Sequence, residues 1–324
     1  MKRCSADIQL INSQKKMKRL QKEEFKKKSY LEDSNNVIKF HIVDKYNDTI
    51  TETPGASLKK NNAWLVPFRP LFTHQVFSSA EKIHGYAGLK IDIYLTWATL
   101  KCYLRVRYNK WAEKRDNIEK LLSKHFGGNF TLDPNKFQEW LKDDLEDFAP
   151  IGKKVYEFDR ICDKHRHYEV YKIRLNDKKF PTQMNRCLQA MLYFYIESAS
   201  FIEKDSSWNY FVLYEVVKKF KSNPTSYRMI GYSTTYENIE AKNSTNRISQ
   251  FLILPPYQKQ GFGKSLVEGI YKYYIKSKNC HDISVEKPTK AFQMLWESVK
   301  ADLLGTESKI KSVNIQTEDK DSKG

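Results

Sequence analysis

Ile248-Ser-Gln-Phe-Leu-Ile-Leu-Pro-Pro-Tyr-Gln-Lys-Gln-Gly-Phe-Gly-Lys-Ser-Leu-Val267 is the stretch from which the fold is read. An apolar run ends at Pro255-Pro256, and a short loop carries Gly261 and Gly263. A helical stripe of Leu266, Val267, Ile270, Tyr273 and Tyr274 follows. The order is strand, glycine loop, helix start. Glycines let the backbone approach an anion closely, and the first N–H groups of a helix, aided by its dipole, can hold a phosphate. Lys264 would add a positive charge at the rim. Spacing excludes two nucleotide loops that use the same physics. A P-loop needs G-x-x-x-x-G-K-[ST]; Gly263-Lys264-Ser265 meets its end, but Gln258 stands where its first glycine belongs. A dinucleotide loop G-x-G-x-x-G begun at Gly261 meets Leu266 at its third glycine.

Working outward, residues 208–215, 229–236 and 248–254 read as strands. Pro181 opens a long helix in which Met184, Cys187, Leu188, Met191, Leu192, Tyr195 and Ala199 form one apolar face. Core packing accounts for most residues of both helical stripes. Nearer the amino terminus, 90–94 and 98–107 read as short strands, and 109–150 as helical and charged. Strand texture returns from Tyr156, through 168–174. Residues 45–62 are polar and turn-rich, and the last 20 residues, 305–324, are expected to be disordered. No internal repeat is visible.

Composition bounds the class. A 324-residue chain that is 40% hydrophobic builds a real core, as one large domain or two ordinary ones. Its longest uncharged run, 248–258, falls far short of the roughly 20 residues of a membrane-crossing helix. The first residues lead into charge without an apolar segment, so no secretory leader is expected. Five scattered cysteines without a C-x-x-C pair argue against a disulfide framework or a zinc cluster and favour a reducing, intracellular setting. Of the net charge of +17, residues 1–28 carry +7, from ten Lys/Arg against three acids. A basic tail on a mixed body, with an acidic block at 139–147, suggests an address or an electrostatic anchor more than a nucleic-acid groove. The clusters Lys15-Lys-Met-Lys-Arg19 and Lys26-Lys-Lys28 fit nuclear import and fit equally a solvated helical arm.

The spacing that does fit the loop is Q-x-x-G-x-G, Gln258-Lys-Gln-Gly261-Phe-Gly263, which resembles the pyrophosphate loop of the GNAT superfamily of N-acetyltransferases. With the flanking Leu-Ile-Leu-Pro-Pro-Tyr and the following Leu-Val-Glu-x-Ile-Tyr-x-Tyr-Tyr, the stretch resembles the acetyl-CoA motif of the type B histone acetyltransferase catalytic subunits. Phe72-Thr-His-Gln-Val-Phe77 with Gly85-Tyr-Ala-Gly-Leu-Lys-Ile91, Ile196-Glu-Ser-Ala-Ser-Phe-Ile202 with Trp208, and Asp282-Ile-Ser-Val-Glu-Lys-Pro288 are similar to the same family. They occur in its order, from about 65 to 300. Several ordered matches are far more specific than one glycine loop.

The resemblance implies a fold, a co-substrate and a site. The fold expected is α/β: a GNAT domain with a mixed, largely antiparallel central sheet flanked by helices, preceded by a mixed α/β amino-terminal domain. The boundaries expected are a basic, disordered tail over 1–36, the amino-terminal domain over 37–155, the acetyltransferase domain over 156–304 and a second tail over 305–324. Acetyl-CoA is expected on the backbone of Phe251, Leu252 and Ile253 and on the loop Gln258, Lys259, Gln260, Gly261, Phe262, Gly263 and Lys264. No metal is required. Glu286 matches the family's general base, and Glu197 its other site carboxylate, placed by the apolar pattern inside a helix, where an acid either pairs or faces a cleft. Without the family match Glu286 reads as readily as an exposed strand-end acid, and the alternative for Glu197 is a helix-surface or ion-paired acid. Glu81, Tyr236, Glu237 and Asn238 align with histone-contacting stretches.

Two departures stand out. Lys287 replaces an acid that would help hold a basic tail, and Phe292 stands where a tyrosine is expected, so no general acid is named. Some relatives also continue into further helices beyond the acetyltransferase domain. The function expected is acetylation of a histone-tail lysine, on newly synthesised histone H4 (with H3 in a dimer), with a WD-repeat histone chaperone as partner and a nuclear and cytoplasmic location. The alternatives are a GNAT acting on another protein or a polyamine, and a weakly active histone-binding or chaperone-associated module.

Overall fold

Gly127 and Pro134 interrupt the charged segment that reads as helical over 109–150, and the computed structural model shows what the interruption does. Gly127, at φ +62°, ends a helix at Phe126, and Pro134, with its fixed φ, opens the next. Short strands fill the spaces on either side. The structure describes residues 30–43, 66–160, 166–217, 225–237, 244–276 and 280–303. These fall into two compact units.

The first unit takes the described parts of Met1–Thr96, Leu100–Trp140 and Gln183–Ala199. Its elements are β1 (Leu31–Asp33), α1 (Ser34–Val37), β2 (Ile38–Val43), β3 (Lys82–His84), β4 (Tyr86–Ala87), β5 (Lys90–Thr96), β6 (Cys102–Arg107), β7 (Lys110–Trp111), α2 (Ile118–Phe126), β8 (Phe130–Thr131) and the first half of α3 (Pro134–Glu146). A four-stranded sheet runs β2-β5-β6-β8, parallel at β2/β5 and β6/β8 and antiparallel at β5/β6. Ile38, Phe40, Ile91, Ile93 and Leu122 are wholly buried in its core, each contributing about 1.5–3 kcal/mol by burial. The long helix α4 (Thr182–Tyr195) belongs here as well: Phe194 meets Phe40 edge-on at 5.0 Å, and Cys187 Sγ accepts from Asn129 Nδ2 at 3.2 Å.

The second unit takes Trp97–Thr99, Leu141–Thr182 and the described residues from Ser200 onward. It holds β9 (Lys153–Arg160), β10 (Arg166–Arg174), β11 (Trp208–Val217), β12 (Ser226–Glu237), β13 (Ser244–Ile253), α5 (Phe262–Ile275) and β14 (Cys280–Val285). The sheet order is β14-β13-β12-β11-β10-β9, antiparallel throughout except for the parallel pair β13/β14. This is the mixed, largely antiparallel sheet expected. The helix α5 buries Phe262, Leu266, Val267, Ile270 and Tyr274, and sets the Tyr274 ring 5.6 Å from Phe211. Glycine at 269 lets the helix lie close against β9, since a Cβ there would stand 2.8 Å from the Tyr156 ring.

Three expectations are revised. The tail expected to run to residue 36 stops earlier, because Leu31–Asp33 is a strand and Ser34–Val37 a helical turn capped by the Asp33 carboxylate. A single cut at 155/156 does not divide the molecule, since β9 begins at Lys153 and Gln183–Ala199 belongs to the first unit. Finally α4 ends at Tyr195, short of Ala199. The carbonyl of Phe194 accepts from the N–H groups of Leu71, at 2.9 Å, and Phe72, at 3.1 Å, which take the place of a further helical turn. The expected segments 1–29, 45–62 and 305–324 lie outside the described residues. Among those described, no helix is long and apolar enough to cross a membrane.

Candidate active site

The site grows from a parting of strands. β13 is paired to β12 as far as Ile253, but its parallel partner β14 follows it only from Ser244 to Ile248, opposite Val285. There the chain turns away: Glu286 N–H still donates to Ile248 O at 2.8 Å, and Lys287 adopts a left-handed φ of 39°. Among the described residues no strand covers the outer edge of 249–253. Phe251, Leu252 and Ile253 thus stand on a sheet edge whose backbone N–H and C=O groups can take an extended amide chain.

The strand leads into the glycine loop. Leu254 N–H donates to Ile230 O at 3.0 Å, Pro255–Tyr257 form one 3₁₀ turn, and Gln258 turns its side-chain amide back onto Ile253 O at 2.8 Å. That amide holds the loop to the strand. Lys259 and Gly261 are left-handed, at φ 57° and 82°, and Gly261 forms the N-cap of α5 without a capping side chain. The N-cap residue therefore offers no side chain to the first N–H groups of the helix, as suits an anion site. The two glycines serve different ends. A Cβ at Gly261 would lie 2.7 Å from the Arg160 guanidinium on a backbone that disfavours any side chain, whereas at Gly263 it would meet Leu295 at 3.3 Å and the ring of Phe251 at 3.8 Å.

Lys264, expected as the rim charge, makes a half-exposed ion pair with Asp302 at 2.6 Å. Such a pair contributes little and gives way easily. Arg160, which the sequence reading missed, stands at the start of the helix. Its guanidinium lies 4.1 Å from the centre of the Phe262 ring and donates to Gln260 O.

Glu286 sits where the strands part. Its Oε2 accepts from the Ser249 hydroxyl at 2.6 Å and faces Arg247 Nε at 3.4 Å, while Oε1 has no partner among the described residues. Arg247 in turn lies over the Tyr236 ring at 5.5 Å, and Tyr236 meets Trp208 edge-on at 5.2 Å. Glu286 and Tyr236 are thus brought to one place through Arg247. Ser249 and Arg247, also missed, carried one signal: they alternate with Phe251 along the strand.

The other expected residues are placed differently. Glu237 pairs with the buried ammonium of Lys172 at 2.6 Å, which also approaches the Tyr273 hydroxyl at 3.2 Å. Glu197 lies in the turn after α4, exposed, where its backbone carbonyl faces His74 Nε2 at 2.9 Å; the helical position expected for it is not found. In the same unit Glu81, at φ 54°, accepts from Thr73 N–H at 2.8 Å and from Asn35 Nδ2 at 2.6 Å. These donors, the Thr73 N–H first, hold its carboxyl below the usual range. Asn238 lies outside the described residues.

One trio among the described residues has metal-ligand chemistry: Glu157, His167 and Glu169. Lys154 Nζ already stands 2.6 Å from Glu157 and 3.1 Å from Glu169, so an ammonium occupies the cation's place.

The sheet order, the parting of β13 and β14 and the loop at the start of α5 are those of the mixed, largely antiparallel α/β fold expected from the sequence. Residues 30–197 match the family described as "Histone acetyl transferase HAT1 N-terminus", and the chain belongs to that family. It is 33% identical over 240 residues to a histone acetyltransferase type B catalytic subunit of Dictyostelium discoideum, a match that covers 71% of this chain and 51% of that protein. The subunits of that name from Rattus norvegicus and Homo sapiens are 32% and 31% identical over 243 residues, covering 72% of this chain and 57% of theirs. The chain spans about half the length of the curated relatives it matches. A solved aminoglycoside acetyltransferase from a soil metagenome aligns with 41% of this chain and 86% of its own at 14% identity and a TM-score of 0.28.

Proposed function

We propose that this chain transfers the acetyl group of acetyl-CoA to a lysine side chain of a histone tail, with newly made histone H4, carried in a dimer with H3, as the acceptor. One observation carries the reading: Glu286 is fixed at the point where β13 loses its outer partner, at one end of an open strand edge whose other end runs into the glycine loop. The edge at Phe251–Ile253 fits the amides of a pantetheine arm, and the capless helix start fits a diphosphate.

A lysine ammonium, with an ordinary pKa of about 10.4, must lose a proton before it attacks. The proton passes to the Glu286 carboxylate through Oε1, the oxygen that Ser249 and Arg247 leave unengaged. The amine then forms a bond to the thioester carbonyl carbon, the C–S bond breaks, and the sulfur leaves as a thiolate that takes up a proton. Backbone N–H groups along the strand edge polarise the carbonyl. Glu197 is assigned a supporting role toward the base, and Tyr236 and Glu237 the acceptor side. We further assign a WD-repeat chaperone as partner and a nuclear and cytoplasmic location, with residues 1–28 as the address. Deleting those residues should shift the distribution of a tagged protein while leaving peptide acetylation nearly unchanged.

Transfer of radiolabelled acetyl to an H4-tail peptide tests the proposal. Incorporation dependent on Glu286 is expected. A protein that binds acetyl-CoA but labels no histone peptide would overturn the histone reading in favour of another protein or a polyamine. Lys287, a cation beside the base, favours a second reading, a histone-binding module of weak activity, and a slow but tight-binding protein would meet it.

A further inference from the structure

The family's loop begins with Arg or Gln, and in this chain the first position is the neutral Gln258, whose amide is used on Ile253 O. Of the loop's two lysines, Lys264 shares an exposed ion pair with Asp302, and Lys259 is exposed on a left-handed backbone. A diphosphate carries two negative charges, and backbone N–H groups alone match it with partial charges only. The fold supplies a cation from elsewhere. Along β9, Tyr156, Phe158 and Arg160 alternate onto one face. Tyr156 lies against Gly269 in the second turn of α5, and Phe158 stacks on Tyr168 at 5.1 Å, which itself meets Phe262 at 5.0 Å. The strand thus runs toward the start of the helix, and the last side chain on that face, Arg160, arrives at its first turn. Its guanidinium is stacked on Phe262, bonded to Gln260 O, and has room only because residue 261 has no Cβ.

We infer that Arg160 is a diphosphate-binding residue: its guanidinium supplies, from strand β9, the charge that Gln258 does not bring to the loop. A planar guanidinium pinned by an aromatic ring and one carbonyl keeps further N–H donors on a fixed fork, the geometry suited to phosphate oxygens. The inference rests on the acetyl-CoA reading proposed above and adds to it a residue outside the glycine motif. It also predicts which part of the co-substrate is held, since the 3′-phosphate belongs to the far end of the molecule.

The test measures binding of CoA and of 3′-dephospho-CoA to the full chain by calorimetry, for the wild type, Arg160→Gln and Arg160→Lys. Gln keeps much of the stem over Phe262 and removes the charge; Lys keeps the charge without the fork. Arg160→Gln should weaken both ligands alike, by about tenfold to a hundredfold, and Arg160→Lys should recover part of the loss. In turnover, KM for acetyl-CoA should rise with kcat nearly unchanged, the sign of uniform binding. The preference for acetyl-CoA over S-acetylpantetheine, which lacks the phosphates, should shrink by a similar factor. Wild-type affinity in Arg160→Gln would overturn the inference, as would a loss seen with CoA but not with the dephospho form. An unfolded Gln variant leaves the Lys variant to decide, by the same ratio between acetyl-CoA and S-acetylpantetheine. If the wild type itself binds neither CoA nor its dephospho form, the acetyl-CoA reading fails instead.

Discussion

Two carboxylates from the two units meet opposite fates. Glu81 has both oxygens engaged, one by a backbone N–H and one by an amide, and it ties α1, the Thr73 turn and its own left-handed residue together. Glu286 has both of its contacts on one oxygen, from a hydroxyl and a guanidinium on the neighbouring strand. The first is saturated and structural. The second is oriented and retains an oxygen for a proton. Sequence chemistry alone does not separate the two, since both are glutamates beside turns. The number of donors that the fold has already aimed at each carboxylate does.

The largest expected effect lies with the oriented one. Glu286→Gln keeps the shape and removes the carboxylate proposed as the base, so turnover should fall by about 10²–10⁴-fold with acetyl-CoA affinity little changed. The loss should shrink as pH rises, because free amine then forms without help. A pH series of turnover measures both. Normal turnover across the range would break the comparison and move the role to Glu197 or an ordered water. Glu197→Gln, at an exposed turn, should cost less than Glu286→Gln in the same assay.

Glu81 should answer in stability instead. Glu81→Gln should cost about 1–3 kcal/mol in denaturant unfolding at neutral pH by weakening two charge-assisted bonds. The carboxyl is held low in the folded protein, so its contribution is complete above the ordinary glutamate value near 4.3 and is lost as pH falls through the lower folded value. The variant should therefore show a flatter acid limb than the wild type. Equal acid limbs would mean that Glu81 is not the tie it looks to be.

The smallest effect concerns the residue beside the proposed base. Lys287 holds a left-handed backbone, where Asp is better tolerated than most residues. Lys287→Asp should lower the Michaelis constant for a basic peptide, and the gain should fade with added salt as the charge is screened. A salt-independent change would point to the backbone in place of the charge.

Much of this could be read from residue order. β11, β12, β13 and α5 follow from alternation and the 3.6-residue stripe, within a few residues of their ends. The glycine loop could be found because its spacing is local, whereas Glu286 was named through the family resemblance. What escaped is what topology assembles. Arg160 precedes the loop by 100 positions and reaches it only because β9 runs along α5. Ser249 looks like an ordinary strand serine until the strand partner turns at Glu286. The end of α4 was misplaced because Ala199 preserves the apolar period, while the residues that stop the helix, Leu71 and Phe72, lie far away in sequence.

The open edge at 249–253 has one more consequence. A row of backbone groups left without a partner strand among the described residues, beside apolar side chains, is where strands of different molecules begin to add to one another. The feature that suits this sheet to an extended amide ligand also makes it the place where two copies can zip together, so the ligand would act as a plug against self-association. Filled, the edge is protected; bare and concentrated, it is the molecule's weak seam.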